Sequence, residues 1–509
     1  MKTLLLGLIL LAGLAACTRQ TQPANLSEKS PVHINFLHIN DVYEIAGLSG
    51  GTHGHLARVG YLKDSLSRHY PNLYLILSGD FLNPSVFGTI PYEGKPLRGR
   101  QMIEALNAAG LDFATFGNHE FDIRESQLLE RIEESDFAWV SSNVFHQQTG
   151  GPRPFMHRGK PIPTHHTFRI PYGEADTFKL AMLGLCLDYN KAAHAFYTDV
   201  NQTAQRLTDS LSPHVNGIVA MTHLNLIEDR ALAAAVPQIR LLMGGHDHDN
   251  MYEKVGQSII AKADANARTA YLHQISFDPK TQKIAITSTL MPLSAPMPKQ
   301  ARTQEVVDRW MRIAYTAFEE QGYDPKNQLL PLSEEMDMRE AMLRNQQCSS
   351  GQFFVKALQA AMPDADAWVV TGGSVRIDDV LEGVITEYDV MRMLPFGGQV
   401  MSVQMSGRTL SQFLNAGRSN RGSGGYLQRS QNLRYDAAQN TWFLNDKPIL
   451  DEQRYTIGLN DYILTGNERN MPFMSPQKNP DLSHIQTSDD PTDPRSDIRR
   501  AVIAYLKML

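Results

Sequence analysis

The sequence predicts an α/β layered protein, a larger domain followed by a smaller α/β domain. Three observations lead there. The chain has 509 residues, enough for two or three domains at roughly 100–200 residues each. Between Ile34 and about Ile286, short apolar runs alternate with stretches of helical spacing, the pattern of βαβ units. Each apolar run also ends in polar residues, so the chemistry is expected at the carboxyl ends of the strands.

The runs, in order, are INFLHIN (34–40), LYLILSGD (73–80), FATFGN (113–118), FAWVSSN (137–143), LAMLGLCLD (180–188), GIVAMTH (217–223) and IRLLMGGHD (239–247). Between some of them lie helical patterns such as GRQMIEALNAAG (99–110) and ESQLLERIEESD (125–136). The stretch QEVVDRWMRIAYTAFEEQ (304–321) also has helical spacing and is expected to connect domains. A second α/β region runs from about Gln347 to Leu509, with loop-like composition at NPDLSHIQTSDDPTDPRSD (479–497). No internal repeat is visible.

Composition narrows the function. A hydrophobic fraction of 42% with 20% charged residues describes an ordinary soluble globular protein. A net charge of -6 argues against a basic nucleic-acid platform. Three cysteines cannot build a disulfide framework. Cys186 sits in an apolar run and reads as a packed thiol, and whether it pairs with Cys348 stays open. At the start, Lys2 precedes TLLLGLILLAGLAAC (3–17), an apolar core too short to span a bilayer, followed by small residues. That is the pattern of a secretory signal peptide. Its LAAC ending resembles a bacterial lipobox, with Cys17 as the lipidated residue. TRQTQPANLSEKSP (18–31) reads as a flexible tether.

The polar strand ends form a constellation. Asp41 follows the first run and Asp80 closes the second. Asn118 and His119 follow the third, His223 closes GIVAMTH, and His246 and His248 follow LLMGG. All but His119 are read as ligands for two divalent ions, with Asp80 as the bridging carboxylate. Two such ions, about 3.5–4 Å apart, clamp a phosphoryl group and supply ionised water at neutral pH. In TFGNHEFD (115–122), Asn118 would ligate, His119 would act as acid or positive stabiliser, and Asp122 would orient His119. Glu120 and His38 read as structural.

LHIND, LSGDFLNPS, FGNHEFD, VAMTHL and LMGGHDH resemble the calcineurin-like metallophosphoesterases. With TGGSVR, LPFGGQV and GGYLQ further on, the chain resembles the 5′-nucleotidase family, which includes periplasmic UDP-sugar hydrolases. The resemblance implies a four-layer β-sandwich flanked by helices and a C-terminal domain that binds the nucleoside. The expected organisation is a signal peptide with lipobox (1–17), tether (18–31), catalytic domain (32–300), interdomain helix and linker (301–345) and substrate-binding domain (346–509). One departure concerns the metals. The family has Asp-x-His after the first strand, whereas this chain reads DVY, with Tyr43 in place of the imidazole. A neutral phenol with a pKa of ~10 is a poor ligand. Tyr43 binds as phenolate, a water fills the position, or Glu44, His53 or His55 steps in. In the C-terminal domain the resemblance makes Arg376 a substrate-holding arginine. It makes Tyr426 and Tyr462 an aromatic clamp on the base, and Glu468 the ribose-binding carboxylate, where the family's GGDG reads TGNE. Lys356 stands where many members carry an aspartate.

The function these residues imply is extracytoplasmic, metal-dependent hydrolysis of nucleoside 5′-monophosphates. Nucleotide-sugar hydrolysis and 2′,3′-cyclic phosphodiesterase activity on the same site are alternatives. A nucleotide-binding surface lipoprotein with weakened catalysis is the alternative of another class. The expected partners are a nucleotide and, through the lipid anchor, a membrane, with no nucleic-acid polymer and a monomeric chain. Thr18 after Cys17 implies the outer membrane where the organism has one.

Overall fold

The computed structural model describes residues 30–173, 175–189 and 191–509. The expected signal peptide, Cys17 and most of the tether lie outside the described residues. Two six-stranded sheets carry the first domain. One runs Lys283–Pro292, Thr269–Asp278, Val32–Ile39, Leu73–Ser78, Phe113–Thr115, Ala138–Trp139. The other runs His165–Tyr172, Asp176–Cys186, Gly217–His223, Ile239–Gly244, Ser258–Lys262, Met251–Val255. The last four strands of the first sheet are parallel, as are the middle four of the second.

Side-chain parity assigns the layers. Ile34 and Phe36 enter a core shared with Phe178, Leu180, Met182 and Val219 of the opposite sheet. Leu37 and Ile39, on the other face, join Leu56, Val59, Met102 and Leu106 of two helices. Those helices, Leu56–Leu66 and Arg100–Ala109, pack against Ala301–Glu320 on the outside of the first sheet. Helices Val200–Leu211 and Leu226–Ala235 cover the second sheet. The order is helix, sheet, sheet, helix, the four-layer sandwich expected. Local chemistry sets the helix ends. Asn225 and Glu228 form a capping box on Leu226–Ala235, and Gly110, with φ 79°, ends Arg100–Ala109.

The second domain is built on a five-stranded sheet in the order Leu427–Arg429, Ala367–Thr371, Arg454–Asn460, Val400–Ser406, Ser483–Gln486. Helix Ala301–Glu320 buries Val307, Trp310, Ala314 and Phe318 at helical spacing. Near its end, Tyr315 and Phe318 pack against Tyr388 of the second domain. A buried set of charges reinforces that junction. Arg392 Nε lies 3.1 Å from Glu44 Oε1, and the Tyr388 hydroxyl donates to Glu44 Oε2 at 3.2 Å. Arg268 Nη2 lies 2.6 Å from Asp379 Oδ1. At the rim His53 pairs with Glu382 at 2.8 Å and Arg339 with Asp249 at 2.8 Å. Cys186 and Cys348 are free thiols. His38 is fully buried between the sheets beside His273, in line with a structural part.

Candidate metal centre and cleft

The candidate ligands follow the carboxyl ends of parallel strands that face one another across the two sheets. Four of them have left-handed backbone: Asp41 (φ 52°), Asp80 (φ 56°), His246 (φ 81°) and His248 (φ 62°). Such conformations are uncommon outside glycine and collect at functional sites. They let each chain turn off its strand with the side chain aimed inward.

Asp41, Asp80 and His223 are buried and offer ligand atoms within 4.8 Å of one another. His223 Nε2 lies 3.1 Å from Asp80 Oδ2, 4.0 Å from Asp41 Oδ1 and 3.2 Å from Asn118 Oδ1. His246 Nδ1 lies 3.1 Å from the same Asn118 oxygen. His248 Nε2 lies 3.4 Å from Asp41 Oδ1. The structure thus gathers all six sequence-predicted ligands.

The donor set fits divalent ions. Asp41 Oδ1 is buried without a hydrogen-bond donor, a state a carboxylate tolerates beside a cation. His223 Nδ1–H donates to Ser78 O at 2.8 Å, which turns Nε2 toward the cluster. Burial disfavours a charged His223, but Asp80 and Asp41 outweigh it and push its pKa up to about 10. Proton and metal therefore compete for His223 Nε2. His246 goes the other way. Burial, then the charge of His223, lower its pKa to about 3, so its imidazole is neutral and free to ligate.

Backbone scaffolding holds these groups close. A Cβ on Gly117 would fall within 2.6 Å of the Asp80 nitrogen, and one on Gly245 within 2.5 Å of Ser78 O and 2.9 Å of His223 Nδ1. Glu120 accepts from the N–H groups of Asp80 (2.9 Å), Phe81 (2.8 Å), Leu82 (3.1 Å) and Gly117 (2.6 Å), tying two ligand loops together. Its part is structural, as read from sequence. Lys262, fully buried, donates to Leu224 O (2.6 Å) and Gly245 O (2.8 Å) beside His223 and His246, and pairs with Asp229 and Asp247. Sequence reasoning missed it. The signal was a lysine closing the apolar strand SIIAK.

His119 Nδ1 meets Asp122 Oδ2 at 2.6 Å, and Asn83 donates to the same oxygen at 3.0 Å. The His119 N–H donates to Asp80 Oδ1 at 2.7 Å. Burial opposes its charge, but Asp80 and Asp122 raise its pKa above the ordinary histidine value. Tyr43, in the place of the missing imidazole, has its hydroxyl 3.2 Å from Asp80 Oδ2 and 3.1 Å from His248 Nε2. Burial, then Asp80 and Asp41, raise its pKa and keep it a phenol. The stand-ins are occupied elsewhere. Glu44 holds Arg392, His53 holds Glu382, and His55 Nδ1 accepts from Ala57 N–H at a helix start.

Across the centre opens a cavity of about 610 Å³, lined by Asp80, His119, Tyr189, His246 and, from the second domain, Arg344 and Arg376. The two arginines share Glu340 as counter-ion. Burial, then the charge of Arg376, lower the Arg344 pKa to about 9. One carboxylate for two guanidiniums leaves positive charge facing the cavity. Arg376 also lies over the Phe396 ring at 5.9 Å. Phe396 is 58% exposed and Tyr462 44%. The turn of Phe396 and the short helix Asp461–Leu464 that carries Tyr462 are joined by the Asp461 N–H donating to Gln399 O at 3.0 Å. Tyr426, by contrast, is nearly enclosed. It is 9% exposed, and its hydroxyl accepts from the Gln347 amide at 3.3 Å. Glu468 stands against Gly425, where an added Cβ would meet its Oε1 at 2.6 Å. Arg344 and Phe396 were not read from the sequence as site residues. Only an aromatic set between Pro395 and two glycines in LPFGG hinted at the second.

Comparison with known proteins agrees with this architecture. The family model for calcineurin-like phosphoesterases matches residues 34–250, and that for the 5′-nucleotidase C-terminal domain matches residues 330–475. A trifunctional nucleotide phosphoesterase protein of Bacillus subtilis is 22% identical over 498 residues, which cover 85% of this chain and 32% of that protein. The chain thus spans about a third of the length of that relative. A 5′-nucleotidase of Vibrio parahaemolyticus is 24% identical over 520 residues, covering 90% of this chain and 88% of the relative. Among solved structures, a 5′-nucleotidase precursor from Thermus thermophilus superposes with a TM-score of 0.70 at 18% identity, covering 94% of this chain and 96% of that one. With both halves matched, and in this order, the chain belongs to the 5′-nucleotidase family of calcineurin-like metallophosphoesterases.

Proposed function

We propose that the protein is an exported, metal-dependent phosphohydrolase that cleaves nucleoside 5′-monophosphates. The observation that carries this is the meeting of three groups in one cavity. These are the Asp80-centred ligand cluster, the His119–Asp122 pair, and Arg344 with Arg376 from the second domain. Asp41, Asp80, Asn118, His223, His246 and His248 would hold two divalent ions, which supply Lewis-acid polarisation and ionised water when bound.

The chain's own residues do the rest. Arg344 and Arg376 take the charge of the phosphoryl oxygens. His119, with Nδ1 held by Asp122, delivers a proton from Nε2 to the departing 5′-oxygen of the nucleoside. Phe396, exposed in a turn, and Tyr462, exposed on the short helix Asp461–Leu464, stack the base, a contact tolerant of base identity. Glu468, in the turn that follows this helix, accepts from ribose hydroxyls. Tyr43 donates to Asp80 as a neutral phenol.

Export and lipidation at Cys17 rest on the sequence pattern. Among the described residues no helix is long and apolar enough to cross a membrane. Cys17→Ser is expected to release the protein from the membrane fraction.

The deciding experiment measures metal stoichiometry of the mature protein while AMP, a UDP-sugar and a 2′,3′-cyclic nucleotide are assayed with Zn²⁺, Mn²⁺, Mg²⁺ and Co²⁺. Two ions per chain and preferred AMP turnover are expected. Preference for another substrate would reassign the specificity. Tight nucleotide binding without turnover in any metal would favour the nucleotide-binding lipoprotein instead, a reading to which the Tyr43 departure lends some weight.

A further inference from the structure

His248 touches both domains. Its Nε2 faces the cluster, 3.4 Å from Asp41 Oδ1 and 3.1 Å from the Tyr43 hydroxyl. Its Nδ1 meets Oδ2 of Asp378, which belongs to the second domain. The other oxygen of Asp378 accepts from the Glu340 N–H at 2.5 Å, so this carboxylate is itself fixed. Both side chains are largely withdrawn from water. Asp378 lies two residues beyond Arg376, on the segment that lines the cavity.

We infer that Asp378 is a positioning residue for the metal ligand His248, supplied across the domain junction, and that it ties occupancy of one metal position to docking of the second domain. The inference rests on the reading of the cluster as a divalent-metal centre. A carboxylate held against Nδ1 favours the tautomer with the proton on that nitrogen, which leaves the Nε2 lone pair facing the ion. Such support counts for more at this position, because the neighbouring Tyr43 brings a neutral phenol. The other junction contacts, Glu44–Arg392 and Arg268–Asp379, do not touch His248. They provide docking that does not depend on the ion. By linkage, whatever docking adds to the affinity of the ion, the ion returns to docking by the same factor.

The test is a competition titration of full-length mature protein with Zn²⁺ against a chromophoric chelator. Wild type, Asp378→Asn, Asp378→Ala and Glu382→Gln are compared. Glu382→Gln breaks a junction pair at the rim and serves as the control. Wild type is expected to show two steps. In both Asp378 variants one step weakens by about 10–100-fold while the other stays within about two-fold. Glu382→Gln leaves both unchanged. The inference is overturned if the Asp378 variants match wild type, if both steps weaken equally, or if Glu382→Gln weakens the same step as much. Uptake of no ion by wild type would overturn the metal reading itself, which separates that failure from this one.

Discussion

Replacing His119 by alanine removes the proton donor for the leaving oxygen and touches no ligand side chain. Turnover is expected to fall by about 10²–10⁴-fold, with metal content by atomic absorption unchanged. Loss of metal along with turnover would make His119 structural. Asp122 leads to a pH test. The His119 pKa is raised, so its acid form is present at low pH and lost as pH rises through the raised value. Asp122→Asn removes one of the carboxylates that raise it. The alkaline limb of kcat/KM should therefore move to lower pH, and an unmoved limb would assign that limb to another group. At this scale the sequence was most informative where one short segment carries several parts, as GNHEFD carries Asn118, His119, Glu120 and Asp122. Arg344, Lys262 and Asp378 escaped notice because each works through a contact with a distant segment. A lysine or aspartate in isolation gives no sign of such a partner.

Among elements, the turn His119–Asp122 is the keystone of the ligand loops. Glu120 there gathers four backbone donors from the two loops that carry Asp80 and Asn118. Burial, then the charge of Asp80, raise the Glu120 pKa to about 7, so each hydrogen bond is counted at the ordinary value of roughly 0.5–1.5 kcal/mol, and each buried N–H left unpaired at about 1–3 kcal/mol. Glu120→Ala strands several buried N–H groups at once. It is expected to lower stability by at least about 3 kcal/mol in denaturant unfolding, and a loss under 1 kcal/mol would contradict the assignment. Seven strands of the first domain were legible because an apolar run and a polar end agree there, whereas His165–Tyr172, Met251–Val255, Thr269–Asp278 and Lys283–Pro292 lack that signature and, like Ser258–Lys262, were not singled out. Helix Ala301–Glu320 was legible as a helix. Its packing on Leu56–Leu66 and Arg100–Ala109 was not, since periodicity gives a face and leaves its partner unnamed. Tyr426 and Phe396 show the same limit. Both lie in glycine-flanked turns, and only the fold separates the 9% exposed ring from the 58% exposed one.

For the whole molecule, the two domains meet through buried charge. Arg392 faces Glu44, Asp389 and Asp379, and Glu44 and Asp379 are themselves buried. Removing one partner of a buried ion pair leaves uncompensated charge and typically costs about 3–5 kcal/mol. Arg392→Ala should lower the melting temperature by several degrees and, in solution scattering, broaden the distribution of interdomain distances. A variant as compact and as stable as wild type would mean that the aromatic packing of Tyr315, Phe318 and Tyr388 suffices. The two-domain plan was legible from composition and resemblance. The junction was not, because Glu44 sits in a strand-end loop and Arg392 in a helix far along the chain.

The glycine walls around His223 and Asp80 bear on how this protein can diversify. Inside the cluster, glycine main chain lies directly against the ligands' own main chain and side chains, with no room for a Cβ at Gly117 or Gly245. In a saturation library, positions 117 and 245 should accept almost nothing under selection for activity, whereas 396, 462 and 468 should accept many residues and change which substrate is preferred. A catalyst so arranged can acquire new specificities at its rim while its reactive interior stays unaltered.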